Sequence, residues 1–415
     1  MRKKLTITTI FLFFLSLYLL TMGGHPYSTD GMVIYKLTKS IIENQSISID
    51  VAGSIIGENG RFYSKYGIGQ SLLAMPLFIL GKLVAGFFPP AFEFPITVCV
   101  MFSYNSVVSA LLCVFIYLLC IKMGYSEKIS TITTLLTGLT TMIFPYARYF
   151  YTHPSTTLCF ILTIYFLYNY KISGNINNVL IAGIFQGLAV LIKPVSIIII
   201  PAFIGYILAI KKNNREWIVF LSPVLLTICF VFCYNFFRFG NILEFGYGEH
   251  GFTFSNFLLK GLFGLTLSTG RGIFVYNPFL IMSVISFHWF IKRHEYEGYL
   301  FLSIILIYVL FYAKWIYWHG GESWGPRYLI PIIPLMSIPI AQGLKSVLSA
   351  RNKKLVLIIL AVFITLSFGV QIMRRLRNIG NTRGMIEDIQ TLRASEQCLE
   401  QESIIFEELP DEEDS

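Results

Sequence analysis

Apolar runs recur along almost the whole chain, and no other feature constrains its fold as tightly. They cover residues 5–22, 97–121, 129–146, 156–170, 179–192, 195–210, 217–237, 273–291, 299–313, 328–344 and 355–372. Inside a bilayer no water satisfies the backbone, so a chain built this way must close its peptide hydrogen bonds within each segment. Helices do this, and a span needs roughly 20 apolar residues, so the shorter runs must borrow from their flanks. The composition agrees: 55% of the 415 residues are hydrophobic and 13% charged. The reading is an all-α integral membrane protein with about eleven transmembrane helices over residues 1–373. A charged tail, 374–415, follows, first basic ("RRLRN") and then acidic ("EELPDEEDS"). The opening "MRKKLTITTIFLFFLSLYLLTMGG" has the charged start of a signal peptide but no small-x-small cleavage site, which favours a retained first helix.

The segment 71–88 ("SLLAMPLFILGKLVAGFF") decides the topology, because counting it as a crossing inverts everything after it. Short-loop clusters arbitrate through the positive-inside rule. If 71–88 lies along the surface, then Arg2/Lys3/Lys4, Lys122 and Lys128, Lys171, Lys211/Lys212/Arg215, Lys292/Arg293 and Arg351/Lys353/Lys354 all face the cytoplasm. Residues 32–44 show a similar surface pattern, with Val33, Leu37 and Ile41 at spacing four. The first outer loop, about 23–95, is therefore expected to hold two interfacial helices.

The net charge of +9 could suggest nucleic acid, but the basic residues cluster at the ends of apolar runs and form no RNA-binding motif. Six of seven cysteines lie in apolar runs without metal-type spacing, which argues against a disulfide framework or zinc site. A transporter or flippase would favour repeated halves and ionisable residues in mid-span. Nearly all charges here sit at span ends.

Every unusual polar cluster falls on the outer face. It collects His25 and Asp30, Arg61 and Lys65, Arg148 and His153, Lys193, "GYGEHG" with Glu249 and His250, "STGRGIFVYNP" with Arg271, and "WHGGESWGPRYLIP" with His319, Glu322 and Arg327. One carboxylate among several cations at the mouth of a helix bundle suits an anionic lipid headgroup. The carboxylate can deprotonate an attacking hydroxyl, and Arg and Lys can neutralise a departing phosphate.

The order of "YSTDGMVIYKL", "GRFYSKYGIGQSLLAMPLFILGK", "FPYARYFYTHPSTTLCFIL", "GIFQGLAVLIKP", "STGRGIFVYNP" and "GESWGPRYLIPIIPL" resembles the GT-C membrane glycosyltransferases. The resemblance is strongest to the bacterial and archaeal relatives of protein O-mannosyltransferases and the aminoarabinose lipid A transferases, a glycosyltransferase family 39-like pattern. It implies a multi-pass enzyme of a bacterial or archaeal plasma membrane, transferring a hexose or pentose from a polyprenyl-phosphate sugar to a glycan, lipid or protein acceptor, with inversion. It also implies that Asp30 is the base or helps to hold a divalent metal (Mg or Mn), and that Lys65 and Lys193 contact lipid phosphate. Arg271, Arg327, Glu249, His250, His319 and Glu322 join them as expected substrate-binding residues. Two departures stand out: Gly31 and Ser64 occupy positions where many relatives carry an acid.

Blander roles compete. Asp30 could cap a helix, Lys65 and Lys193 could snorkel to the interface, and Arg327 could anchor a helix start in the aromatic belt. Among enzymes, the alternative is a polymerase or ligase using polyprenyl-diphosphate-linked glycans, which usually depends on a larger arginine-bearing outer loop.

Overall fold

The computed structural model describes residues 2–373 except 25, 27, 52, 211–214, 248–252, 322, 349–357 and 359. The tail 374–415 therefore lies outside the described residues. One compact unit spans Met1–Gln371.

The chain runs through helices α1 (Arg2–Leu20), α2 (Thr29–Glu43), α3 (Gly69–Ala85), α4 (Glu93–Phe102), α5 (Tyr104–Lys122), α6 (Glu127–Thr140), α7 (Ile143–Tyr146), α8 (His153–Ser173), α9 (Asn177–Ile192), α10 (Ile200–Ile210), α11 (Arg215–Phe239), α12 (Leu258–Thr266), α13 (Ile273–Tyr276), α14 (Ile281–Arg293), α15 (Glu295–Lys314), α16 (Ile333–Ser337) and α17 (Ile340–Leu348). A further helix covers Leu360–Met373. Strands β1 (Ile55–Ile56) and β2 (Phe62–Tyr63) form one small antiparallel hairpin in the first loop.

Several apolar runs are broken helices, each for a local reason. Run 97–121 bends at Ser103, whose hydroxyl donates to the Val100 carbonyl at 2.6 Å, a back-bond that commonly bends helices. Run 129–146 breaks between α6 and α7, where the Asn277 side-chain oxygen accepts from the Met142 N–H at 2.7 Å. Among the described residues four helical segments are long and apolar enough to cross a membrane: Pro90–Lys122, Arg215–Phe239, Glu295–Lys314 and Arg327–Val347. Leu225, Leu226, Phe230, Phe236 and Phe237 of α11 are exposed. That many large apolar side chains on one helix make sense against lipid rather than water.

Helix α9 packs between α8 and α11, α15 lies against α10, α12 and α14, and α5 joins α1, α6 and α8. Their shared core includes Phe160, Leu167, Phe203, Phe301, Ile304 and Tyr308. Helix α2 buries Val33, Ile34, Leu37 and Thr38, and α3 packs on α2, α4 and α9. On the other side of α3, Ile79, Leu80 and Leu83 are exposed. Lys82 of α3 pairs with Glu43 of α2 at 2.9 Å and with Glu93 of α4, tying the two first-loop helices to the start of α4.

Candidate active site

The acid lies in the first turn of α2. Ser28, with extended backbone (φ −160°), caps that helix by accepting from the Gly31 N–H at 3.2 Å. Asp30 is thereby relieved of capping, and its Oδ2 accepts from Arg327 Nη1 at 2.8 Å. Their side chains are 17% and 15% exposed, enough for a ligand to reach them. The Tyr66 hydroxyl also bonds Asp30; burial and the acid's charge hold that phenol far above its usual range.

Arg327 opens a 3-10 turn, Arg327–Ile332, after a loop in which Gly320, Gly321 and Gly325 take φ of +74°, +67° and +62°. Only glycine adopts such a series without strain. Arg271 donates from Nη1 to the Ser323 carbonyl and, at 3.3 Å, to that of Gly325, and from Nη2 to that of Gly321. The Tyr146 hydroxyl donates to the Trp324 carbonyl at 2.9 Å. The loop carrying Arg327 is thus held from two sides.

Lys193 ends α9. The following Pro194 disfavours helical backbone at the preceding residue, and Lys193 is extended at φ −145°, ψ 99°. Its ammonium lies 3.1 Å from His153 Nε2. It also sits over the rings of Tyr328 and Tyr312, 5.0 and 5.6 Å from their centroids. Burial, reinforced by the Arg327 guanidinium and opposed by Asp30, brings its pKa down to about 7.

Lys65 reaches the same place through a close backbone approach. A β-carbon at Gly67 would lie 2.4 Å from the Leu191 carbonyl oxygen, and one at Gly69 2.8 Å from the Ile192 nitrogen. Only glycine lets the loop settle on the end of α9. Arg238 of α11 fixes it further by donating to the Ser64 carbonyl.

Lys65, Lys193 and Tyr328 border a cavity of about 240 Å³. The rest of its wall is mostly apolar, with Ile197, Ile198, Val231, Phe254 and Phe311 beside the polar Asn235 and Arg238. Asp30 and Arg327 stand beside this charged end, joined to it by Tyr66 and Tyr328.

Of the residues expected from sequence, Asp30, Arg327, Lys193 and Lys65 gather here, and Arg271 acts on the loop of Arg327. His319 is exposed and its Nδ1 accepts from the Gly321 N–H at 3.1 Å; burial and nearby Arg271 hold its pKa below the usual value. Glu249, His250, Glu322 and His25 lie outside the described residues. Arg148 donates to the Thr21 carbonyl at 3.2 Å, tying its loop to α1. Sequence reasoning gave no special place to Tyr66, Tyr247 or Tyr328, three of 24 tyrosines with no motif to mark them, and it read His153 as a loop residue.

The described residues do not fit a divalent metal. No three His, Cys, Asp or Glu side chains among them gather around one point. Asp30 is already paired with Arg327 and faces Lys193, and a β-carbon at Gly31 would lie 3.2 Å from the Phe150 carbonyl oxygen, which leaves little room for a second acid.

Residues 92–236 match the family described as dolichyl-phosphate-mannose-protein mannosyltransferase. ArnT from Cupriavidus metallidurans, solved with bound undecaprenyl phosphate, shares the fold at a TM-score of 0.53 and 13% identity, over 82% of this chain and 60% of that one. The oligosaccharyltransferase AglB from Archaeoglobus fulgidus, solved with an inhibitory peptide and a dolichol-phosphate, does so at 0.54 and 12%, over 90% and 56%. This chain therefore spans less than two thirds of the length of either. No curated protein sequence is matched. The chain is therefore similar to the GT-C membrane glycosyltransferases, in its helical architecture as a whole and in sequence over residues 92–236.

Proposed function

We propose that this protein transfers a single sugar from a polyprenyl-phosphate donor to a hydroxyl of a glycan, lipid or protein acceptor at the outer membrane surface, with inversion. The carrying observation is a cavity whose wall combines the cations Lys65, Lys193 and Arg238 with a largely apolar remainder. A lipid phosphate has the same division: an anionic head that seeks cations and a hydrocarbon tail that seeks apolar wall. The undecaprenyl phosphate and dolichol-phosphate held by proteins of this fold support the same reading.

In this reaction the Asp30 carboxylate takes the proton of the acceptor hydroxyl as its oxygen attacks the anomeric carbon. The bond from that carbon to the phosphate oxygen breaks, and its electron pair leaves with the phosphate. Lys65, Lys193 and Arg327 stabilise the charge that grows there, so the leaving group needs no proton. Arg327 serves both partners: it holds Asp30 before the donor arrives and turns toward the phosphate as charge develops.

The test is to incubate purified protein in lipid nanodiscs with a panel of polyprenyl-phosphate sugars and to measure released polyprenyl phosphate. Release with at least one sugar, and none from Asp30→Asn, is the expected result. Full release from Asp30→Asn would sink the assignment of the base.

A further inference from the structure

His153 is 3% exposed and opens α8, walled by the rings of Tyr146, Tyr151 and Tyr328 at 6.1, 5.9 and 6.1 Å. Its Nε2 meets the Lys193 ammonium at 3.1 Å, and its Nδ1 has no hydrogen-bond partner among the described residues. An imidazolium here would place a second positive charge against Lys193 with Arg327 nearby. Burial and those two cations hold the ring well below its usual pKa, so it is neutral. A neutral imidazole has one donor and one acceptor nitrogen, and an ammonium only donates. Whenever Lys193 is charged, the proton therefore resides on Nδ1 and Nε2 accepts from the ammonium.

We propose that His153 is a positioning residue which, as a neutral acceptor, aims the Lys193 ammonium into the cavity and keeps it charged for an anionic phosphate headgroup. The proposal rests on the lipid-phosphate reading of the cavity. Around the ammonium stand His153 from α8, Tyr312 from α15, Arg327 and Tyr328 from the turn Arg327–Ile332, and Asp30 from α2, with Lys65 and Tyr247 on the same cavity wall. Asp30 is the acid that attracts it. Without an acceptor at His153 the ammonium has two outcomes, both adverse: it discharges, or it swings to Asp30 and occupies the base. With the acceptor, one N–H is committed to the ring and the others face the cavity.

Two variants separate orientation from packing: His153→Gln supplies a carbonyl acceptor, and His153→Phe supplies only the ring. Acetic anhydride labels neutral amines, so the pH dependence of Lys193 labelling, read by mass spectrometry, reports its charge with no ligand present. The expected midpoint is near 7 in the natural protein, about one pH unit lower in His153→Phe, and little changed in His153→Gln. At pH 7 the Kd for decaprenyl phosphate rises about tenfold in His153→Phe and less than about threefold in His153→Gln. His153→Met replaces the Phe variant if the latter does not accumulate in the membrane. An unchanged midpoint in a folded acceptor-less variant overturns the proposal, as does a Gln variant as impaired as the Phe one. If the natural protein does not bind decaprenyl phosphate, the lipid-phosphate reading falls, while the labelling still decides whether His153 controls the charge of Lys193.

Discussion

Helix α8 carries two buried charge clusters, one at each end, and they are built on opposite principles. At its start stands His153 with Lys193 and Arg327 close by, Asp30 paired to Arg327, and Lys65 on the cavity that Lys193 borders. Near its end Lys171 pairs with Glu297 of α15 at 2.7 Å, the Tyr206 hydroxyl donates to the same carboxylate at 2.6 Å, and the Tyr170 hydroxyl donates to Glu216 at 2.7 Å. The 21 residues of α8 put roughly 30 Å between the two clusters, about one bilayer core. At the far end the acids Glu297 and Glu216 are met by Lys171 and by the hydroxyls of Tyr206 and Tyr170, so these bonds are made within the protein. At the near end Arg327 and Lys193 face Asp30, and Lys193 and Lys65 border a cavity. Acids satisfied by neighbouring side chains tie helices together, whereas positive charge beside a void suits the anionic headgroup that the proposed function requires.

The largest expected effect opposes the two acids. Asp30→Asn should lower transfer by roughly 10²–10⁴-fold while the thermal midpoint and membrane abundance stay put. Glu297→Ala should do the reverse. Removing one partner of a buried pair costs roughly 3–5 kcal/mol, and Lys171, partly open to solvent, moves this toward the lower end. The surviving protein should transfer at a normal rate per molecule. If Glu297→Ala abolishes transfer in protein of unchanged stability, the division between a locking end and a working end is wrong.

A smaller effect is expected in the pH dependence of binding. The pKa of Lys193 is depressed to about 7 in the free protein, so its charge is present below that value and lost above it. Phosphate binding above pH 7 must therefore recharge the lysine, and affinity falls by up to about tenfold per pH unit until the bound state also titrates. Lys193→Met removes this component and weakens binding at pH 6 by about 10–100-fold. The phosphate's own titration is common to both proteins, so the ratio of their Kd values isolates the lysine. A ratio independent of pH from 6 to 9 would refute a lysine poised near neutrality.

These contrasts explain what was legible in the sequence. Long apolar runs marked the helical membrane architecture because burial of backbone in lipid leaves little alternative. The breaks at Ser103 and Thr141 were not legible, since they depend on side-chain bonds such as that from Asn277, 135 residues away in the chain. Asp30 stood out as an acid in a polar first loop, and Lys193 as a charge between apolar runs. Their partnership with Arg327, 297 residues from Asp30, exists only in the folded chain. His153 stood out as a polar residue but its role did not, because that role depends on Lys193, 40 positions on. Arg271 stood out as a cation in "STGRGIFVYNP", but its direction was not legible: it points into backbone carbonyls.

That direction gives the mildest of the expected effects and sharpens what the cation surplus means. Lys65, Lys193 and Arg327 have donors turned toward the cavity or the acid, whereas Arg271 donates to the carbonyls of Gly321, Ser323 and Gly325. If it belongs to the loop, Arg271→Ala should free that loop and misplace Arg327 without removing a ligand contact. The Kd for decaprenyl phosphate should then change less than about threefold while turnover falls about tenfold, because a small misplacement of a charge-stabilising group costs the transition state more than the ground state. Arg271→Lys should recover only part of the loss, since a single ammonium cannot reach several carbonyls in the plane that a guanidinium spans. A large rise in Kd with normal turnover at saturation would instead make Arg271 a fourth cation of the anion site. The contrast between the two ends of α8 would then be greater still, with four positive groups against one acid.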